Sequence, residues 1–322
     1  MREKILQELK QSQGKYVSGG KIARALKVSR TAIWKHINSL KKMGYEIEAK
    51  PKKGYKLVRS PDLITPEEIK IGLKTEVIGR ELNYFQSVSS TNEVARELAE
   101  KGAGEGLVVL AESQTMGRGR LGRTWASPQG GIWLSIILRP NLPPSNAHLL
   151  SLAAGVGAAD AINKLGLEAK LKWPNDVMIR DKKVCGILLE LAAEVEAINY
   201  AILGVGINAN NELPVEIQKT ATTLKKELGR EVERAKFVQE LLLELEKKYF
   251  LFKRDPSVIL NRWRALSNIL GEKVQVKTLN ENFIGIARDI SSDGSLIIEI
   301  EDGSIKQVMA GDCINLRSML HL

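Results

Sequence analysis

Ser18 and Ser29 each stand immediately before a run whose apolar residues recur at helical spacing, and they are eleven positions apart. A hydroxyl at that place accepts from a backbone N–H of the first turn, so each serine marks a helix start. Ile22, Ala23 and Leu26 line one face of the first run; Ile33, Ile37 and Leu40 line one face of the second, which runs to about Met43. With only Lys27 and Val28 between them, the two form a helix-turn-helix. An earlier helix carrying Ile5, Leu6 and Leu9, ended by Gly14 to Val17, completes the unit.

The outward face of the third helix holds Arg30, Thr31, Trp34, Lys35 and Asn38, which combine cations for phosphates with side chains able to read base edges. Two alternating runs, Tyr45 to Ala49 and Tyr55 to Val58, flank Lys50-Pro51-Lys52-Lys53-Gly54 and read as a hairpin wing with a basic tip. Residues 1–60 carry 16 Lys+Arg against 4 Asp+Glu; the remainder carries 32 against 34. The net +10 is therefore a basic module ahead of a neutral body. A lysine-rich solvated surface would also be basic. Caps, face and wing together favour DNA, and a two-fold DNA site requires a dimer.

With 43% hydrophobic and 27% charged residues, the chain is globular rather than disordered or collagen-like. Cys185 and Cys313 are too few and too distant for a disulfide scaffold or a thiolate metal site, so a reducing, cytoplasmic setting is expected. The first ten residues are charged throughout, and the longest uncharged stretch, 141–159, contains Pro143 and Pro144. Neither export nor membrane insertion is expected.

In the body, Leu82 to Gln86 reads as a strand, and Ser90 with Glu93 has the spacing of a capping box. The cluster Ser90, Thr91, Asn92 at that helix start also suits a small polar ligand group. Between buried runs at Leu107 to Ala111 and Trp125 to Leu138 lie Gln114 and Gly117-Arg118-Gly119-Arg120-Leu121-Gly122-Arg123-Thr124-Trp125. The glycines match G-x-G-x-x-G, but a dinucleotide turn leads directly into a helix, whereas this loop interleaves three arginines and returns to a strand. Bidentate cations on such a loop suit a phosphate or carboxylate, and the loop is expected to take shape on its anion. A solvated basic turn is the plainer alternative.

Ala147 to Leu165 reads as a buried small-residue helix without chemistry. Pro174 then interrupts a strand and places Lys172, Asn175 and Asp176 together. Lys183 opens the strand that runs to Leu191 and contains Gly186; the next strand, Ile198 to Ile207, ends at Gly206-Ile207-Asn208. Lys183 is either a surface hairpin residue or a cation aimed into a pocket. The three histidines, His36, His148 and His321, form no triad with a serine. Amphipathic helices follow at 234–252 and 256–266, and short strands divided by Asp293-Gly294 and Asp302-Gly303 form a small antiparallel barrel.

The Gly117 to Trp125 loop, Lys172-Trp173-Pro174-Asn175-Asp176, Lys183 to Glu190 and Gly206-Ile207-Asn208, in this order, resemble the biotin protein ligases, and with the winged start they resemble the bifunctional kind that also represses the biotin operon. The resemblance covers nearly the whole chain. It implies an α+β protein: a winged helix-turn-helix at 1–62, a mixed α/β catalytic domain of the biotin/lipoate ligase type at 63–269 and an SH3-like barrel at 270–322. It further implies ATP and biotin as substrates with Mg²⁺, biotinyl-5′-adenylate as intermediate and corepressor, a lysine of a biotin carboxyl carrier protein as acceptor, operator DNA as target and a homodimer when adenylate-bound.

Carried over by motif, Ser90, Thr91, Asn92, Gln114, Arg118, Gly119, Arg120 and Lys183 face biotin or its carboxyl. Arg123, Trp125, Lys172, Asn175 and Asn208 face the adenylate. Lys183, Arg118, Asp176 and Lys172 are the candidate catalytic groups, with Asp176 assisting the incoming amine or merely orienting a lysine. Thr220 to Leu224 resembles the segment after the adenylate loop, and no protein metal ligands are assigned. Two alternatives remain: a corepressor-sensing transcription factor without ligase activity, and a ligase for lipoate-like acids.

Overall fold

A computed structural model describes residues 1–194 and 197–316; of the histidines, His321 lies outside them. The chain divides into two compact units, 1–73 with 233–236, and 74–232 with 237–322.

In the first unit, α1 (Arg2–Gln11), α2 (Gly19–Ala25) and α3 (Arg30–Lys42) precede the hairpin β1 (Glu46–Lys50) and β2 (Gly54–Arg59), and α4 (Pro66–Lys70) follows. Both serine caps form: Ser18 Oγ accepts from Lys21 N at 3.3 Å and Ser29 Oγ from Ala32 N at 3.1 Å. A cap of this kind stabilises its helix by ~1 kcal/mol. Ile5, Leu6, Leu9, Ile22, Ile33, Ile37 and Leu40 bury completely or nearly so, and Tyr45 and Ile47 join them from the wing. The unit therefore has its own core.

The second unit is built on a seven-stranded mixed sheet. β3 (Leu82–Val88) runs parallel to β4 (Val108–Gln114) through the crossover helix α5 (Thr91–Glu100). β5 (Ile132–Leu138), α6 (His148–Asn163), the hairpin β6 (Lys170–Lys172) and β7 (Asp176–Ile179), and the long hairpin β8 (Lys182–Ala193) and β9 (Ile198–Ile207) follow. The spatial order is β3-β4-β5-β9-β8-β7-β6. Every residue of β5 is buried, as a strand covered on both faces must be. The strand run expected from Trp125 begins only at Ile132; residues 125–131 are loop, with Gly130 at a positive φ of 97°.

Ala95 and Ala99 of α5 pack on Val109, Ile137 and Ile202. After α7 (Leu224–Leu228) come α8 (Arg234–Arg254) and α9 (Pro256–Leu266). The small residues of α6 permit close approach: a Cβ on Gly157 would stand 3.2 Å from the Leu245 Cα of α8. β10 (Lys273–Lys277), β11 (Asn282–Ile290), β12 (Leu296–Ile300), β13 (Ile305–Val308) and β14 (Asp312–Asn315) form an antiparallel sheet in the order β13-β12-β11-β10-β14. The last of these strands is not evident in the sequence pattern, and it carries residues that matter to the site.

Candidate active site

A cavity of about 920 Å³ opens over β8 and β9, bounded by the start of α5, the 117–125 loop, the β6–β7 hairpin, residues 217–221 and the beginning of β14. Its neutral end is made by Ser90, Thr91 and Asn92 with Gln114 at the end of β4. Thr91 N donates to Gln114 Oε1 at 2.8 Å, and Gln114 Nε2 donates to Ser127 Oγ at 2.8 Å. The capping box does not form as expected. Ser89 Oγ, rather than Ser90, donates to Glu93 Oε2 at 2.7 Å, and the Ser90 side chain makes no cap bond. Consecutive serines make the spacing ambiguous by one residue; Ser90 is left facing the cavity. Asn92 lies beneath it, 4% exposed, where a Cβ on Gly204 would come within 2.4 Å of its Oδ1.

The cationic end begins with the glycine-arginine loop. It is closed on itself by Trp125 N to Gly117 O at 2.9 Å and Gly119 N to Arg123 O at 2.7 Å. A Cβ on Gly117 would collide with Trp125 O at 2.3 Å, so the closure needs that glycine. Leu121 turns the tip at φ 56°. All three arginines already have partners: Arg118 pairs with Glu93, Arg123 pairs through both Nη atoms with Asp312, and Arg120 Nη1 lies 3.3 Å from Gly311 O and 3.4 Å from Asn175 Oδ1. Burial draws the Arg120 guanidinium below its ordinary range, against the pull of Asp312 and Asp176. A desolvated cation of this kind is poised for an anion.

The β6–β7 hairpin turns at Trp173-Pro174-Asn175, with a cis Trp173–Pro174 peptide, and aims Lys172, Asn175 and Asp176 into the cavity. Asn175 is fixed by its Nδ2 donating to Ile187 O at 2.6 Å. Lys183, the second residue of β8, resolves the choice left by its sequence: it lines the cavity, with its Nζ 2.5 Å from Asp176 Oδ1 and 4.9 Å from the Trp125 ring. Its backbone is clamped by Lys183 N to Thr220 O at 2.9 Å and Thr222 N to Lys183 O at 3.0 Å, which brings the 220–224 segment to the rim. Trp125 meets Trp133 edge to face at 6.4 Å, and its indole lies over Gly186 and Gly206. Its Nε1 is buried without a protein partner. Asn208 lies beside Gly206 at the far wall.

Every residue selected from the sequence for the small-molecule site thus lines one cavity. Sequence reasoning missed Asp312, Ser127 and Ser135, and had no signal for them: two are serines in or beside buried runs, and Asp312 begins an unrecognised strand. Both thiols are buried and free. Burial pushes Cys185 far up, and Cys313 up to about 12. Among the described residues no group of three His, Cys, Asp or Glu could hold a metal ion, and no helix is long and apolar enough to cross a membrane.

In the first unit, Arg30, Thr31, Trp34 and Lys35 of α3 are exposed and Asn38 partly so, opposite the buried Ile33, Ile37 and Leu40. Trp34 is 55% exposed, an outlay of apolar surface that the core does not use. Lys50 and Lys56 of the wing stand over the Tyr16 ring at 5.3 and 6.0 Å.

A cavity with one neutral and one cationic end suits a small molecule that carries an anionic group, and it stands in a chain that also carries a helix-turn-helix. Comparison with known proteins gives the particular family. Residues 84–208 match the biotin/lipoate A/B protein ligase family, 1–56 an HTH domain, and 269–315 the biotin protein ligase C terminal domain. The bifunctional ligase/repressor BirA of Bacillus subtilis is 40% identical over 97% of this chain and 98% of its own, and that of Escherichia coli 32% identical over 95% of each. A biotin protein ligase from Aquifex aeolicus, solved with biotin and ATP, superposes with a TM-score of 0.65 at 31% identity over 73% of this chain and 98% of that one. The chain belongs to the biotin/lipoate protein ligase family, among its bifunctional ligase/repressor members.

Proposed function

We propose that this chain activates biotin with ATP, transfers it to a lysine of a biotin carboxyl carrier protein, and represses transcription from an operator when it holds the adenylate. The observation that carries this reading is the single cavity in which Arg118, Arg120, Arg123, Lys172 and Lys183 gather around one wall of an otherwise neutral unit. In the first half-reaction a biotin carboxylate oxygen bonds to the α-phosphorus of ATP and the bond to the departing pyrophosphate breaks. Anion meets anion, so the barrier is largely electrostatic.

Arg118, Arg120 and Lys183 hold the carboxyl and offset its charge. Lys172, Arg123 and Asn175 take the phosphates, and Trp125 and Asn208 face the adenylate. Ser90, Thr91, Asn92 and Gln114 form the seat for biotin's uncharged head. Mg²⁺ enters as part of the nucleotide substrate, held by phosphate oxygens. In the second half-reaction the carrier amine attacks the acyl carbon, AMP leaves, and the amine proton passes to a base; Asp176, tied to Lys183 in the same cavity, is the candidate. Arg30, Thr31, Trp34, Lys35 and Asn38 read the operator, the three-part division at 62 and 269 separates these tasks, and adenylate binding favours a cytoplasmic homodimer.

Incubation with a panel of biotin, lipoate and octanoate, ATP, Mg²⁺ and a carrier domain tests the chemistry. Biotin on the carrier is expected; transfer of lipoate alone would favour the lipoate-like ligase, and no transfer with tight operator binding would favour the pure sensor. For the basic unit, replacing Arg30 and Lys35 together is expected to abolish specific operator binding and flatten its salt dependence. Unchanged affinity would remove that face from the interface.

A further inference from the structure

We propose that Glu190, which lines no part of the cavity, is a positioning residue that sets the hydrogen-bond polarity of the pocket's neutral end and presents Thr91 to the ligand as an acceptor. The inference rests on the reading that this end seats biotin's cyclic urea, with its two N–H donors.

The argument is one of counting protons. Asn92 Nδ2 donates to Glu190 Oε2 at 2.6 Å, and Arg96 Nη2 occupies the other carboxylate oxygen at 2.8 Å. A carboxylate only accepts, so the Asn92 amide has one allowed orientation, nitrogen toward Glu190. Its Oδ1 then faces Ser135 Oγ at 2.6 Å and must accept the one Ser135 proton. Ser135 is fully buried on β5, and its oxygen lies 2.7 Å from Thr91 Oγ1. With the Ser135 proton committed to Asn92, the proton in that second contact comes from Thr91. Among the described residues its other acceptor is Gln114 Oε1 at 3.1 Å, which already takes Thr91 N at 2.8 Å.

In either case the Thr91 hydroxyl spends its proton on the protein and keeps a lone pair for the cavity. Asn92 spends one N–H on Glu190 and one lone pair on Ser135, so it belongs to the relay as well as to the wall of the cavity. A Gly204 that leaves no room for a Cβ against Asn92 Oδ1 holds the amide from below. The chain Thr91, Ser135, Asn92, Glu190 is thus polarised from a charge outside the pocket.

Glu190→Gln keeps the shape and removes the direction. Either end of the new amide can face Asn92; if Asn92 turns, Ser135 donates to Thr91 and occupies one of its two lone pairs, which weakens Thr91 as an acceptor for a ligand N–H. The test is steady-state ligation by the full chain with biotin and with biotin methylated on either ureido nitrogen. Expected for E190Q is a rise in the biotin KM of about tenfold, the cost of one mis-set hydrogen bond, with kcat and the ATP KM unchanged and discrimination against the methylated analogues reduced. Ser135→Ala, which removes the donor that would fill that lone pair, is expected to leave the biotin KM close to that of wild type and to cancel most of the E190Q loss in the double variant.

A merely structural role would lower the melting temperature of E190Q and leave the KM and the discrimination alone; that result overturns the proposal. So does an additive double variant. Wild-type chain that ligates no biotin overturns the functional reading itself, and shows it before any variant is compared. If a variant yields no active enzyme, the biotin-induced shift in the melting temperature of Arg96→Gln, which weakens the same arm from its half-exposed end, reports on the same relay: a shift equal to that of wild type counts against it.

Discussion

Lys183 Nζ and Asp176 Oδ1 lie 2.5 Å apart across the β7–β8 hairpin, while the same ammonium faces the Trp125 ring at 4.9 Å. Two partners fix the cation where a carboxylate would be activated. Replacing Lys183 with Met is expected to slow adenylate formation by roughly 10²- to 10³-fold, the usual loss for one preorganised electrostatic group. Asp176→Asn is expected to slow both half-reactions, because it releases Lys183. ATP–pyrophosphate exchange and transfer from preformed adenylate measure the two separately; a defect confined to transfer would instead make Asp176 the amine's base.

On the proposal that Arg123 takes the nucleotide phosphates, its pair with Asp312 is a contact that the triphosphate would replace. Arg123 is 62% exposed, so the pair is screened and its strength modest. Asp312→Asn is expected to lower the KM for ATP by roughly two- to fivefold and leave that for biotin unchanged. Initial rates at varied ATP decide it, and an unchanged or higher KM would mean that Asp312 holds Arg123 in its working position.

Gly206 and Gly157 should fail differently. A Cβ on Gly206 would meet Trp125 Nε1 at 2.6 Å, whereas one on Gly157 meets the α8 backbone at 3.2 Å or more. Gly206→Ala displaces the indole and is expected to raise the ATP KM with a change in tryptophan fluorescence. Gly157→Ala separates two helices that do not line the cavity and is expected to cost about 1–3 kcal/mol of stability with KM values intact. Chemical denaturation alongside kinetics separates the two.

Acid should loosen the 291–295 turn in two stages. His148 Nε2 contacts Asp293 O, and burial lowers the His148 pKa below its ordinary 6.5. The neutral ring is favoured in the fold, so its contribution is complete above pH 6.5 and declines as pH falls through the lowered folded value. Asp293 is held at about 2, chiefly by the Ser291 hydroxyl, so its contribution is present above 3.8 and is lost as pH falls toward 2. Denaturation midpoints between pH 7.5 and 5.5 are expected to fall in wild type and to stay flatter in His148→Gln.

What could be read from the sequence was what neighbouring residues decide among themselves. Ser18 and Ser29 cap the helices they precede, and the glycine-arginine run forms a loop that Gly117 lets close on Trp125. Local spacing stopped being sufficient at Ser90, where one of two adjacent serines had to turn toward Glu93. It gave nothing for Asp312, whose partner is 189 residues earlier, or for Ser135, and it marked Glu190 as the end of a motif without a role, which it acquires only when β5, β8 and α5 come together. The missed residues do not touch a motif in sequence; they touch one in space.

Glu93 and Asp312 also bear on what the protein ignores. A site with bare arginines would fill with whatever small anion is most abundant, and inorganic phosphate is never scarce in a cell. Because two of the loop's three arginines are already matched by carboxylates, a weak anion gains nothing by entering. Only a molecule that brings several contacts at once can outcompete both. The loop thereby sets a threshold of entry, and selectivity against common anions comes from groups that neither bind the substrate nor react with it.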